Sequence, residues 1–183
     1  MKDYFILIDL QNDFVTGPLG TPEAQEAVSY ISIFLSENID KYNYIFTLDK
    51  HSLSEPFTIE EQKFPIHCIN HTEGYLLAPE VKNFLYKGKV DGIGKNSFGS
   101  LDWERKIAYT PNHIHIAGLC TDICVLSNAI ILQNTFPCTE IIIHSSLCAG
   151  TTPENHQKAL DIMQGLVMTI VKDYIQERFT FDF

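Results

Sequence analysis

Basic residues are scarce in this chain, long apolar runs are missing, and glycine and proline stand at no more than ordinary levels. Lysine and arginine together number 13 against 23 aspartates and glutamates, giving a formal net charge of −10. Such a surface repels phosphate backbones and anionic bilayers, so neither nucleic acid nor a membrane is expected as a partner. No apolar run approaches the roughly 18 residues that a membrane span needs. The opening Met1-Lys2-Asp3-Tyr4 lacks the apolar segment and small-residue cleavage site of a secretory signal, and the expectation is a cytoplasmic protein. Repeats, low-complexity segments and linkers are also missing. The 183 residues therefore read as one domain, 1–183, long enough to close a core without covalent staples. The cysteines are odd in number and irregularly spaced, at Cys68, Cys120, Cys124, Cys138 and Cys148. That pattern argues against a disulfide framework and for a reducing compartment, where a cysteine is a core filler, a ligand or a nucleophile.

What is present is an alternation of short apolar runs and helical patterns. Tyr4-Phe5-Ile6-Leu7-Ile8-Asp9 is too short for a helix and reads as a strand buried on both faces. Tyr44-Ile45-Phe46-Thr47-Leu48 reads as a second. Between them, residues 22–36 place Ala27, Val28, Ile31, Ile33, Phe34 and Leu35 at helical spacing. Further strands are expected at 113–117, 140–144 and 167–171, and helices at 76–86, 122–134 and about 154–164. The alternation predicts an α/β fold of three layers, a mostly parallel sheet covered by helices on both faces. Residues 49–75 show no periodicity, and a loop that long in a compact domain is expected to carry a site. Ligands of such sheets sit at the carboxyl ends of the strands. That rule singles out Asp9, Asp49 and the segment that begins at Gly118.

Gly118-Leu119-Cys120-Thr121-Asp122-Ile123-Cys124 runs from a strand into a helix. With Thr121 as N-cap, Cys124 falls in the first helical turn, where free N–H groups and the positive dipole end stabilise a thiolate and can hold an oxyanion. On these residues alone, the plain reading of both cysteines is as small apolar packers; a redox pair is the other alternative, although Cys-x-x-x-Cys is not the redox Cys-x-x-Cys spacing. A thiol nucleophile needs a base or a neighbouring cation. Asp9 is the candidate base, because an acid at the end of a buried strand is costly without a partner, and Lys95 is the candidate cation. Asp49-Lys50-His51 places an acid and an imidazole on one face of a strand end, with Glu60 and His67 downstream. Two imidazoles and two carboxylates suit a divalent transition ion, Zn²⁺ first, with Fe²⁺ or Mn²⁺ as alternatives. His113 and His115 read as a polar strand edge, and His71 and His144 have no evident partner.

Several of these segments resemble one family. Ile6-Leu-Ile-Asp-Leu-Gln-Asn-Asp-Phe14, Gly94-Lys95 and Ala117-Gly-Leu-Cys-Thr-Asp-Ile-Cys-Val125 are similar to the acid, lysine and nucleophile motifs of the isochorismatase-like cysteine hydrolases. The quartet Asp49, His51, Glu60 and His67, bracketed by Phe64-Pro65 and Thr72-Glu73-Gly74, resembles the metal site of the nicotinamidases (pyrazinamidases) within them. The resemblance runs from about residue 4 to residue 171. It implies an isochorismatase-like, Rossmann-like fold and hydrolysis of nicotinamide to nicotinate and ammonia through a thioester, with pyrazinamide also accepted. It further implies Asp9, Lys95 and Cys124 as catalytic residues, and a cis peptide at Leu119-Cys120. The oxyanion hole would be built from the amides of Cys120 and Cys124. Phe14, Phe57 and Phe98 are the expected walls of the substrate pocket. One divalent metal ion and no organic cofactor are implied, and a homo-oligomer is compatible with it. Another small amide or a carbamoyl compound is the alternative substrate. A non-catalytic binding protein and a thiol-redox protein with a Cys120–Cys124 disulfide are the readings from other classes.

Overall fold

The protein is described from a computed structural model, which covers residues 2–54, 57–87 and 90–172. Among these residues six strands form one sheet: β1 (Tyr4–Ile8), β2 (Asn43–Asp49), β3 (Asp91–Lys95), β4 (His113–Leu119), β5 (Glu140–Ala149) and β6 (Thr169–Val171). Every neighbouring pair is parallel, and the order is β3-β2-β1-β4-β5-β6. The chain therefore builds outward from β1 in one direction and from β4 in the other. The switch point between β1 and β4 opens a crevice at their carboxyl ends. All five residues of β1 are buried, as expected for the centre of a sheet packed on both faces. Among the described residues, no helix is long and apolar enough to cross a membrane.

The helices are α1 (Asn12–Val15), α2 (Pro22–Asn38), α3 (Ile59–Lys63), α4 (Pro79–Lys87), α5 (Trp103–Lys106), α6 (Leu126–Thr135) and α7 (Pro153–Gly165). The long ones start where local chemistry dictates. Thr21 caps α2 by accepting from the Ala24 amide at 3.0 Å, with Pro22 in the first turn. Thr152 caps α7 by accepting from the Asn155 amide at 3.1 Å, again followed by proline. The buried side of α2 is Ala24, Ala27, Val28, Ile31 and Leu35, a helical stripe that packs on β4 and β5.

The expected alternation holds, with four differences. β3 was not anticipated, because Asp91-Gly-Ile-Gly-Lys95 buries only Ile93 and Lys95. It is an edge strand, and Gly92 lies so close to the Phe46 ring that a Cβ there would sit 2.9 Å from it. The helix expected from residue 76 begins at Pro79, because Leu77 pairs with Gln11 in an isolated antiparallel bridge. β5 continues past residue 144 to Ala149, through polar Ser145 and Ser146. β6 starts at Thr169 rather than 167, because Val167 turns the chain at φ 63°.

His113 does lie at a polar edge, with Nδ1 3.1 Å from Asp3 Oδ2, but His115 does not. Its ring is half-buried and stacks parallel to Phe5 at 5.8 Å, and its Nδ1 lies 2.9 Å from Nε2 of buried His144. One ring must donate and the other accept, so the pair excludes a second proton. Burial, then the neighbouring His144, push the His115 pKa down to about 4, against weaker opposing effects from Asp3. A folded pKa below the unfolded value near 6.5 means that the stabilisation is complete above pH 6.5 and is lost as pH falls from there toward 4. Discounted for the partial exposure of the ring, the expected outcome in urea unfolding is a loss of about 1–2 kcal/mol between pH 7 and pH 4.5 from His115, with a shallower acid-side slope in His115→Phe.

Candidate active site

The crevice at the switch point is where the polar residues of the core collect. Asp9, immediately after β1, is fully buried and takes a left-handed conformation at φ 49°, a strain that packed surroundings must impose. Gly118 in β4 lies against it: a Cβ there would meet the Ile8 carbonyl oxygen at 2.2 Å, and its φ is 132°. Only glycine lets the two strands approach this closely. Thr47 in β2 holds Asp9 twice. The Asp9 amide donates to Thr47 Oγ1 at 3.1 Å, and the Thr47 hydroxyl donates to Asp9 Oδ1 at 2.6 Å. Gln11 ties the ends of β1 and β2 by accepting from the Asp49 amide at 2.7 Å and donating to the Asp49 carbonyl at 2.8 Å.

Cys124 arrives on the strand-to-helix connection after β4. The Leu119-Cys120 peptide is cis. The turn that follows, Thr121–Val125, is π-helical rather than α-helical, and its N-cap is Cys120 with no side-chain capping bond. Thr121 is therefore not the cap; its hydroxyl lies 2.7 Å from His156 Nδ1 of α7. Buried Asn128 locks the turn from below, donating to the Cys124 carbonyl at 2.8 Å and to the Phe98 carbonyl at 3.1 Å. Cys124 stays within the first turn, but its thiol is not the stabilised thiolate that the helix dipole suggests. Burial, then the Asp9 carboxylate, push it well above the usual thiol range, against the opposing effect of Lys95. Cys124 therefore rests as a thiol, and acting as a nucleophile would require a base. Cys120 behaves likewise, pushed up to about 12 chiefly by burial, and both are free thiols.

Lys95, the last residue of β3, reaches under the crevice and is 6% exposed. Its Nζ lies 2.6 Å from Asp9 Oδ2, 3.3 Å from Asp49 Oδ1 and 3.7 Å from Cys124 Sγ. Burial alone would lower its pKa; Asp9, Cys124 and Asp49 outweigh that and hold it charged. Burial raises Asp9, while Lys95 and the Thr47 hydroxyl oppose it. The result is a carboxylate more basic than usual beside a protonated thiol. That is a proton-transfer pair with a cation fixed at both ends.

The other oxygen of Asp49 faces a second cluster. Asp49 Oδ2 lies 2.7 Å from His51 Nε2 and 3.3 Å from His67 Nε2. Glu60 Oε1 from α3 lies 3.9 Å and 3.6 Å from the same two nitrogens. One donor atom from each of Asp49, His51, Glu60 and His67 falls within 4.8 Å of the others. His67 Nδ1 donates to the Pro65 carbonyl at 2.7 Å, which orients the ring with Nε2 facing the cluster. That Nε2 is buried without an aligned hydrogen-bond partner. Burial works against charge on His67, but Asp49, Glu60 and the Pro65 carbonyl outweigh it and hold its pKa at about 10. The cluster thus attracts positive charge, and two imidazoles with two carboxylates fit a divalent transition ion. Glu61, not anticipated from the sequence, places Oε1 3.3 Å from His51 Nδ1 on the outer side.

A cavity of about 250 Å³ joins the two clusters. Cys124 and Cys120 line one side of it, and Glu60 and His67 the other. Phe14, Phe64 and Phe98 also line it, with Phe14 edge-on to His67 at 5.5 Å and Phe64 edge-on to Phe98 at 6.2 Å between ring centroids. Phe57 does not line it. It is 40% exposed and faces a separate apolar cleft beside His51 and Ile66, because α3 carries the chain behind the histidines. Phe64 takes the expected place. Its position three residues before His67 was the available signal. A further, polar cleft lies between Lys50, Asn96, His51 and Lys95.

The Isochorismatase domain family matches residues 3–172 of this chain. The uncharacterized isochorismatase family protein PncA of Bacillus subtilis (strain 168) is 31% identical over 172 residues, covering 87% of this chain and 93% of that protein. Among solved structures, nicotinamidase/pyrazinamidase PncA from B. subtilis superposes with a TM-score of 0.81 at 30% identity, covering 94% of this chain and 100% of that one. The pyrazinamidase/nicotinamidase from Streptococcus mutans superposes with a TM-score of 0.80 at 28% identity, covering 93% and 100%.

Removing the buried cation leaves two carboxylates facing each other without compensation. Lys95→Met is expected to lose about 3–5 kcal/mol in urea unfolding, and adding Asp9→Asn to that variant to recover part of the loss.

Proposed function

The chain belongs to the isochorismatase family, and from that membership we propose that it is a metal-dependent cysteine amidohydrolase converting nicotinamide to nicotinate and ammonia. The observation that carries this reading is one aromatic-lined cavity that reaches both the Cys124 thiol, backed by Lys95 at 3.7 Å and through it by Asp9, and Glu60 and His67 of the four-residue cluster. Its volume suits a single heteroaromatic ring bearing a carboxamide. Asp49, His51, Glu60 and His67 would hold the ion. When bound, the ion supplies a Lewis-acid contact for the pyridine nitrogen and so aligns the ring.

The chain's own residues do the rest. Asp9 takes the proton from Cys124 Sγ, and Lys95 remains charged beside both. The thiolate attacks the carboxamide carbon, and the amides of Cys120 and Cys124 at the start of the turn receive the oxyanion. Contacts of that kind are worth about 3–4 kcal/mol in the transition state. Asp9 returns its proton to the departing nitrogen, and the acyl group stays on sulfur as a thioester. Water then attacks the thioester with Asp9 again as base, and the thiol is restored as nicotinate leaves. Phe14, Phe64 and Phe98 enclose the ring and exclude bulk water.

An ammonia-release assay tests the assignment. Cys124→Ala should abolish turnover of nicotinamide, Cys120→Ala should retain most of it, and Asp9→Asn should be folded but inactive. A dead Cys120→Ala beside an active Cys124→Ala would move the nucleophile. Benzamide has the same ring size but no ring nitrogen. It should be a poor substrate, far less sensitive to a chelator than nicotinamide. Equal turnover of the two by metal-loaded protein would refute anchoring by the ion and favour an amidase for other small amides or carbamoyl compounds.

A further inference from the structure

Asp9 can exchange a proton through either carboxyl oxygen, and its two oxygens have different surroundings. Oδ1 receives the Thr47 hydroxyl at 2.6 Å. That hydroxyl also accepts the Asp9 amide at 3.1 Å, so the backbone of Asp9 fixes the oxygen that in turn holds its own side chain. Thr47 is fully buried in the middle of β2, where the β-branched side chain is confined to few rotamers. Oδ2 has the opposite character. Lys95 Nζ stands 2.6 Å away as an ion-pair partner, yet no donor is aligned with Oδ2 for a hydrogen bond, and it is one of the few buried polar atoms left in that condition among the described residues. Gln11, the other polar side chain nearby, is committed to the Asp49 backbone and to the Tyr75 carbonyl at 2.9 Å. Among the described residues, Thr47 is the β2 side chain that hydrogen-bonds the Asp9 carboxylate.

We infer that Thr47 is a positioning residue for the proton transfer: its hydroxyl pins Oδ1, so that Oδ2 is the atom that receives the proton of Cys124. The S–H bond breaks as the Oδ2–H bond forms, and Lys95 keeps its charge throughout. Without the hydroxyl, the carboxylate can swing about its Cα–Cβ and Cβ–Cγ bonds toward Lys95, and the amide of Asp9 loses its acceptor. The inference rests on Asp9 being the base of the proposed amidase.

Thr47→Ser and Thr47→Ala differ by a single oxygen at nearly equal volume, and Thr47→Val keeps the branched shape without the hydroxyl. Two measurements separate the possibilities. In steady-state hydrolysis of nicotinamide, Thr47→Ala and Thr47→Val should lose roughly tenfold or more in kcat, a part of the ~10²–10⁴-fold that a positioned base contributes, with KM little changed. Thr47→Ser should recover most of that loss. In a second measurement that needs no substrate, Cys124 is alkylated with iodoacetamide at fixed pH and followed by peptide mass spectrometry. The rate should fall in Thr47→Ala and Thr47→Val and be restored in Thr47→Ser. Equal impairment of Thr47→Ala and Thr47→Ser, or wild-type alkylation in Thr47→Ala, would overturn the inference and leave Thr47 as packing alone. Should Thr47→Val fail to fold, the serine and alanine pair decides. If the wild-type protein releases no ammonia from nicotinamide, the substrate assignment fails, and the alkylation series still decides the role of the hydroxyl.

Discussion

One buried ammonium organises this molecule. Lys95 sits beneath the crevice with carboxylates on two sides and a thiol on the third, and each of those groups is on a different element. Asp9 ends β1, Asp49 ends β2, and Cys124 lies in the turn after β4. A charge in that position is costly unless opposite charge surrounds it, and the carboxylates are equally costly without the lysine. Each group therefore requires the others. The strained backbone at Asp9 and the close approach of Gly118 are tolerated inside that mutual dependence.

The loop between β2 and α4 is held to this centre by backbone and carboxylate contacts rather than by apolar packing alone. Asp13 in α1 accepts from the Cys68 amide at 2.7 Å, next to His67. Gly74 presses on the Asp13 carboxylate, which a Cβ there would meet at 2.1 Å. The amides of Asn12 and Asp13 donate to the Leu76 and Gly74 carbonyls. The capping box between Thr58 and Glu61 starts α3 and turns Glu60 toward the histidines. His67 is thus placed by contacts from a helix more than fifty residues earlier in the chain, which explains how a segment without periodicity keeps a defined shape.

The central strands were legible because a buried parallel strand must be apolar along its whole length, and Tyr4–Ile8 is. Asp9, Asp49 and His51 stood out because they interrupt that pattern at strand ends. β3 was not legible. An edge strand needs burial on few positions, and two of its five residues are glycine, so Lys95 had no strand to end. Thr47 was hidden for the reverse reason, since a threonine inside an apolar run reads as an ordinary β-former. The partnership of His115 and His144 joins residues on neighbouring strands in a register that only the sheet reveals. Phe57 and Phe64 show the limit of composition. Both are aromatic and both lie near the metal-ligand candidates, and only the course of α3 decides which ring faces the cavity.

The two-imidazole cluster also stands as a partition wall. Glu60 and His67 face the aromatic cavity, while His51 borders the apolar cleft beside Phe57 and, on its other flank, the polar cleft of Lys50 and Asn96. The cluster is therefore bordered by three separate clefts, with His67 shared between the aromatic and the apolar one. A ring filling the aromatic chamber closes only its own door. The polar cleft of Lys50 and Asn96 borders His51 with no phenylalanine in its lining.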